Sequence, residues 1–184
     1  MFSYKIDDET ELRLLEPRHA EELDALVTLN YEHIKEWAAW LKDTESPIEK
    51  TREAIKQNLM HFAENKGFNI FIWHKGKMVG KVGYNYLDWD NRNTEIGYWL
   101  GASFQGKGLV TKSCRVLIDH AFNELNLNRI EIRCGVENKK SRRIPERLGF
   151  REEGIFRQAE WMHDHFIDLV IYGMLASEWQ DKNQ

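Results

Sequence analysis

From Phe68 to Leu100 the chain switches to a period of two. Phe68, Ile70 and Ile72 alternate with Asn69, Phe71 and Trp73, Lys75-Gly76 turns the chain, and Met78 to Leu87 forms the return strand. Asp90 to Asn93 is a second turn and Thr94 to Leu100 a third strand, so this stretch predicts an antiparallel meander. Ahead of it, Leu12 and Leu14 mark a short first strand, and Pro17 suits the first turn of a helix. Leu23, Leu26, Val27, Asn30 and Ile34 continue that helix at helical spacing. Ser46-Pro47 with Glu49 three residues after the Ser is a capping box for a second helix. Ile55, Leu59 and Phe62 form its apolar face, and Gly67 ends it.

The second half has a different grammar. After a glycine-rich turn, Gln105 to Gly108, the residues Val110, Cys114, Leu117, Ile118, Ala121, Phe122 and Leu125 fall on one face of a long helix. Ile130, Ile132, Cys134 and Val136 then alternate as a strand. Strand, turn, helix and strand make a crossover unit, which predicts two parallel neighbouring strands. A short helix from Ser141 to Leu148 stops at Gly149, and Phe150 to Phe156 and Phe166 to Met174 close the sheet. The expectation is a mixed α/β (α+β) domain over 1–184, with a central sheet of about six to seven strands. An antiparallel N-terminal meander is joined there to a central parallel βαβ unit, with no internal repeat or linker.

Composition narrows the classes of function. The 26 basic and 30 acidic residues give a net charge of −4, which argues against a general nucleic-acid or membrane-surface binder. Two cysteines, Cys114 and Cys134, sit in apolar patterns and read as buried thiols, so a reducing cytoplasm is expected. Met1 to Glu11 carries four acids and no apolar run, unlike a signal peptide. No segment approaches the roughly 20 apolar residues of a membrane span.

Two stretches carry candidate chemistry. In Gln105-Gly106-Lys107-Gly108-Leu109-Val110-Thr111, glycines between a strand and a helix let backbone N–H groups approach a phosphate at the helix's positive end. Gly101 to Gly108 also matches a P-loop at every position but the last, where Gly108 replaces the Ser or Thr that would hold Mg²⁺. No apolar run ending in Asp supplies the second nucleotide motif. The second stretch runs from Glu137 to Phe150. Asn138 and Ser141 suit a helix start, and Lys139, Lys140, Arg142, Arg143 and Arg147 form a basic patch in an acidic protein.

Taken together, Gln105-x-x-Gly108-x-Val110 after a strand, with Asn138-x-x-Ser141 and Leu148-Gly149-Phe150 about 30 residues on, resembles the GNAT superfamily of N-acetyltransferases. Glu11 to Leu15, Ile96 to Leu100 and Asp168 to Tyr172 resemble the branch that acetylates protein N-termini, including ribosomal-protein Ser/Ala N-acetyltransferases. Val110 departs from the pattern, which prefers Gly or Ala there. The resemblance implies splayed central strands with the pantetheine arm of acetyl-CoA lying between them. Backbone groups of Gly97, Tyr98 and Trp99 would pair with the arm, and the N–H groups of Gln105, Gly106, Lys107, Gly108, Leu109, Val110 and Thr111 would hold the pyrophosphate. Asn138 and Ser141 would contact the arm near the thioester, with Arg142 or Lys139 at the adenosine end.

Amine acetylation needs a base for the amine, donors for the oxyanion and only weak acid assistance for a thiolate. The resemblance implies Glu160, beside Trp161, as base and Ser141 as acid; a solvated strand position is the alternative for Glu160. Glu95 is the second candidate base and Tyr172 the second candidate acid. His33, Trp37 and Trp40 are expected at the acceptor, a protein N-terminus. The alternatives are a small-molecule amine such as a polyamine or antibiotic, or a regulatory protein that binds acyl-CoA without turnover. No metal is expected, since His163 and His165 lack a third ligand. Neither a nucleic-acid nor a membrane partner is expected, and a homodimer is implied by resemblance alone.

Overall fold

The structure, a computed structural model, describes residues 3–41 and 47–182. Its centre is an eight-stranded sheet: β1 (Ser3–Lys5), β2 (Thr10–Arg13), β3 (Phe68–His74), β4 (Lys77–Asp88), β5 (Asn93–Leu100), β6 (Arg129–Gly135), β7 (Arg151–Met162) and β8 (His165–Leu175). The spatial order is β1-β2-β3-β4-β5-β6-β8-β7, and among the described residues only the β5–β6 pair is parallel. The expected meander and crossover are both present. The additional strand is β1, three residues with no alternation to announce it. The seventh strand runs on to Met162, beyond the expected end at Phe156.

The helices are α1 (Ala20–Leu29), α2 (Tyr31–Lys35), α3 (Ile48–Ala63), α4 (Leu109–Asn123), α5 (Lys139–Leu148) and α6 (Ala176–Lys182). The first helix was expected to run unbroken from Pro17 to Ile34. Instead a 3₁₀ turn at Pro17–His19 leads into α1, and the chain breaks at Asn30. The break has a local cause: the Asn30 amide donates to the Leu26 carbonyl at 2.9 Å, competing with the helix ladder. The Ser46 half of the expected capping box lies outside the described residues. Helix α5 begins at Lys139, two residues before the expected Ser141, and Pro145 stands well inside it. Among the described residues, no helix is long and apolar enough to cross a membrane.

Alternation sorts the core onto the two sheet faces. On one face, Ile72, Val82, Tyr84, Ile96, Ile130, Ile132 and Val170 pack against Val110, Cys114, Leu117 and Ile118 of α4. On the other, Phe71, Trp73 and Met78 pack against Leu26 of α1 and Ile55 of α3. Both layers converge on the loop after β5. Buried Asn30 accepts from the Ala102 N–H at 2.9 Å, and Gly101 donates to the Val79 carbonyl at 2.8 Å.

Asn30 thus ties the α1–α2 corner to the loop that delivers α4. Replacing it by Ala strands the Ala102 N–H and the Leu26 carbonyl without their partner. Asn30→Ala is expected to lose roughly 1–3 kcal/mol of stability, read as a lower urea midpoint with an unchanged slope.

Candidate functional site

The site begins where the parallel pair comes apart. β5 and β6 are paired only at Asn93–Arg129, Thr94–Ile130 and Glu95–Glu131. Beyond that point β5 stays with β4 as far as Leu100, and β6 stays with β8 as far as Gly135. The facing edges of 96–100 and 132–135 therefore have no strand between them. The parting has a visible cause in β4. Its register against β5 shifts between Tyr84 and Leu87, so Asn85 and Tyr86 stand opposite the single residue Glu95. A bulge of this kind bends and overtwists the strand that carries it, and β5 follows β4 through their shared ladder. Gly97 lies next to it, and a Cβ there would push the exposed Asn85 side chain aside, its oxygen being 2.7 Å away.

The glycine-rich turn closes one end of the parting. Gly106 and Gly108 have φ of 77° and 73°, and an added Cβ at either would meet no atom within 4 Å. The glycines therefore serve backbone shape, and the space before them is open. Leu109 and Val110 bury their side chains in the core, which explains an apolar residue at 110. The N–H groups of Gly106 to Thr111 have no partner among the described residues, whereas Lys112 N–H already bonds the Gly108 carbonyl. Such a row at a helix start suits a pyrophosphate. The near-P-loop does not form: Ala102–Phe104 is a 3₁₀ turn, and its Ala102 and Phe104 N–H groups are taken by Asn30 and Gly101.

Cations flank this row. Lys140 donates to the Gln105 side-chain oxygen at 3.2 Å, and Arg147 to the Thr111 hydroxyl at 3.3 Å. Lys107 lies over the Phe104 ring and Lys139 is exposed. Arg142, expected at the adenosine end, is engaged inside the fold by Tyr172, the Val136 carbonyl and Glu152. Lys140 and Arg147 belonged to the basic patch read from sequence, but spacing alone could not say which of its members face the turn.

On the α4–α5 side of the parting three groups meet. Ser141 Oγ lies 3.2 Å from Cys134 Sγ and donates to the Tyr98 hydroxyl at 3.2 Å. Tyr98 donates in turn to the Ser141 carbonyl at 3.1 Å. That carbonyl is available because Pro145, four residues on, has no N–H to bond it. Asn138 caps α5, accepting from the Ser141 N–H at 3.1 Å, and so fixes Ser141 in place. Burial pushes the Tyr98 hydroxyl well above its usual pKa and raises the Cys134 thiol, so both remain protonated donors at neutral pH. Cys134 is buried, as its apolar pattern predicts, and its polar neighbours come from distant elements. Tyr172 stands apart from this trio, its hydroxyl donating to Glu146 at 2.9 Å and accepting from Arg142.

The opposite face carries the carboxylates. Glu160 sits across from Ile167, and the Ile167 side chain reaches the same face as Gly135. A bulge aims it there: the β7–β8 register shifts between Phe156 and Glu160, and Gln158, at φ 50°, donates its N–H to Asp168 at 2.7 Å. Glu160 is half-buried, with no hydrogen-bond partner among the described residues. Burial, and then the charge of Glu95, raise its pKa. Burial also raises Glu95, but Arg133 at 3.2 Å and Asn85 at 2.7 Å oppose this and hold its carboxylate. Glu160 is thus the freer proton acceptor of the two.

The expected acceptor residues separate. Trp37 lies over Gly135, where a Cβ would approach its ring at 3.1 Å. Trp40 lies farther along the same face, 5.9 Å from the Lys81 ammonium to its ring centre. His33 reaches the turn, 2.8 Å from the Gln105 amide nitrogen. His163 and His165 diverge, the first to the Lys35 carbonyl and the second to Asp164. Among the described residues no group of three His, Cys, Asp or Glu converges on one point.

Comparison with known proteins agrees with this arrangement. The family model described as an acetyltransferase (GNAT) domain matches residues 10–151. The chain is 37% identical over 180 residues to the putative ribosomal N-acetyltransferase YdaF of Bacillus subtilis (strain 168), covering 98% of each. It superposes with a TM-score of 0.88 on the microcin C7 self-immunity acetyltransferase MccE in complex with acetyl-CoA and AMP, at 34% identity over 93% of this chain and 94% of that one. With RimL, a ribosomal L7/L12 alpha-N-protein acetyltransferase in complex with coenzyme A, the TM-score is 0.91 at 26% identity, over 96% and 99%. A split parallel pair, a row of open N–H groups and a match over most of the chain agree: this protein belongs to the GNAT family of acetyltransferases.

Proposed function

We propose that this enzyme transfers the acetyl group of acetyl-CoA to the Nα-amine of a protein or peptide, a ribosomal protein being the leading class. The observation that carries the chemistry is the division of groups across the parting. A free carboxylate, Glu160, lies on one face and the Ser141–Tyr98–Cys134 trio on the other. The open edges of β5 and β6 supply the hydrogen bonds that an amide-bearing arm needs, and the N–H row of 106–111 suits its pyrophosphate. The acceptor approaches from the Glu160 face. Glu160, acting directly or through a water, takes a proton from the amine, whose nitrogen forms a bond to the thioester carbon. The carbon–sulfur bond breaks, the departing thiolate takes its proton from the Ser141 hydroxyl, and Ser141 regains one from solvent as Glu160 releases its own. No covalent enzyme intermediate is needed.

The Nα-amine assignment rests on the relatives named for ribosomal-protein acetylation. The acceptor side is also a poor match to a polyamine: its cavity is lined by Lys50 and Lys81 with only Asp24 as a described acid.

Glu160→Gln is expected to lower kcat by about 10²–10⁴-fold, measured as coenzyme A thiol release with peptide acceptors. Because the folded pKa of Glu160 is raised, the wild-type rate falls as pH drops through a value above the ordinary glutamate range. That limb should vanish in the variant. A loss of only a few-fold would transfer the role to Glu95. Gly108→Val places a β-branched residue at φ 73° in front of the N–H row. It is expected to weaken acetyl-CoA binding at least tenfold in a calorimetric titration while the protein stays folded. Unchanged affinity would move the pyrophosphate elsewhere.

A further inference from the structure

A lysine stands where the fold calls for an apolar residue. In the registers of β3, β4 and β5, Lys81 pairs with Phe71 on one side and Trp99 on the other, on the face covered by α1 and α3. β4 is an interior strand, so this inward charge is no device for protecting a sheet edge. Above it lies a cavity of about 460 Å³ between the sheet and α1 and α3, with Trp40, Trp99, Phe71 and Ile55 in its wall. Among the described residues no carboxylate lies within ion-pair distance of Lys81. Its ammonium donates to the Asn69 side-chain oxygen at 3.1 Å and faces the Trp40 ring. The cavity's one described acid, Asp24, accepts from Thr51 at 3.2 Å, and Lys50 adds a second cation. The described lining is therefore net positive.

A partly buried ammonium with no carboxylate partner among the described residues is favoured when an anion completes it. Burial lowers the Lys81 pKa to about 8, which leaves the ammonium charged at neutral pH. The size of the cavity and its apolar walls around a few polar groups match a ligand site rather than a packing defect. It also lies on the sheet face that carries Glu95 and Gly97. Trp99 shares its sheet face with Glu95 and Gly97, and Lys81 is one strand over and two residues along from Gly97, roughly 8 Å away by strand spacing. In an extended peptide, the side chains following the terminal residue fall within that reach.

We propose that this cavity is a specificity pocket for an acidic side chain, in which Lys81 binds the carboxylate of an Asp or Glu at the second or third position of the acceptor. This rests on the peptide Nα-amine reading and adds a sequence rule to it. The test uses two hexapeptides that begin with Ser and differ only in carrying Glu or Gln at positions two and three. For the wild type, KM for the Glu peptide is expected to be at least tenfold lower. Lys81→Met should bring the two KM values together, and Lys81→Arg should restore a difference. The melting-temperature rise with acetyl-CoA certifies that each variant is folded. Equal KM values in the wild type, or a preference that survives in Lys81→Met, would overturn the proposal. The N-acetylated forms of both peptides, titrated calorimetrically into the protein with coenzyme A, separate the two levels. If the acetylated Glu peptide binds in a Lys81-dependent way while neither free peptide turns over, the anion pocket stands and the amine assignment falls. If the acetylated Glu peptide binds no better than its Gln counterpart, the pocket falls.

Discussion

Backbone amides in the middle of a sheet nearly always have partners, and β5 and β6 suspend that rule at the centre of this one. They pair for three residues and then separate, each still held on its outer side by an antiparallel neighbour. The outer pairings hold both edges in ladders, so the opening is a paired slot rather than a frayed end. Everything else in the site is placed relative to that slot. The glycine turn caps one end, α5 brings Ser141 to one side, and the β7 bulge turns Glu160 toward the other. If β4 lacked its bulge opposite Glu95, the pair could zip further and the slot would fill with its own hydrogen bonds.

Because side chains alternate along a strand, the slot also separates two chemistries. Tyr98 and Cys134 point to the α4–α5 face, which is protonated and donor-rich. Glu95, Trp99 and Gly135 belong to the other face, where an amine and its base can meet. On the proposed function, an amine would reach the acyl group from one side and the thiolate would be protonated from the other. Lys81 belongs to the amine side and gives it a positive floor some distance from the carboxylates, so charge on that face is graded along the strands.

Much of this was legible in the chain itself. The meander, the crossover and the glycine turn come from period-two and helical spacing, which act over a few residues and survive any tertiary context. Asn138 and Ser141 were legible too, because capping chemistry is local. What spacing could not carry was long-range register. Glu160 faces the slot only because of a bulge whose compensating partner is Asp168. Cys134 acquires polar company from Ser141 and Tyr98, and Arg142 turns away to Tyr172. The break at Asn30 was hidden for the opposite reason: its apolar spacing continues through the corner, and a single side-chain hydrogen bond decides the matter. The inward face of Lys81 follows from simple alternation, but only the pairing with Phe71 and Trp99 places it over the cavity beneath α1 and α3.

Pro145 is the residue a stability-guided redesign would remove first. Inside a helix, Pro is about 3 kcal/mol worse than Ala, and α5 is only 10 residues long. Yet an Ala at 145 would supply an N–H aimed at the Ser141 carbonyl, the acceptor that now holds the Tyr98 hydroxyl. A thermostable Pro145→Ala protein would therefore hold its helix more firmly and its tyrosine less so. Helix stability and the placement of Tyr98 meet here at one oxygen atom, which the native sequence leaves to the tyrosine.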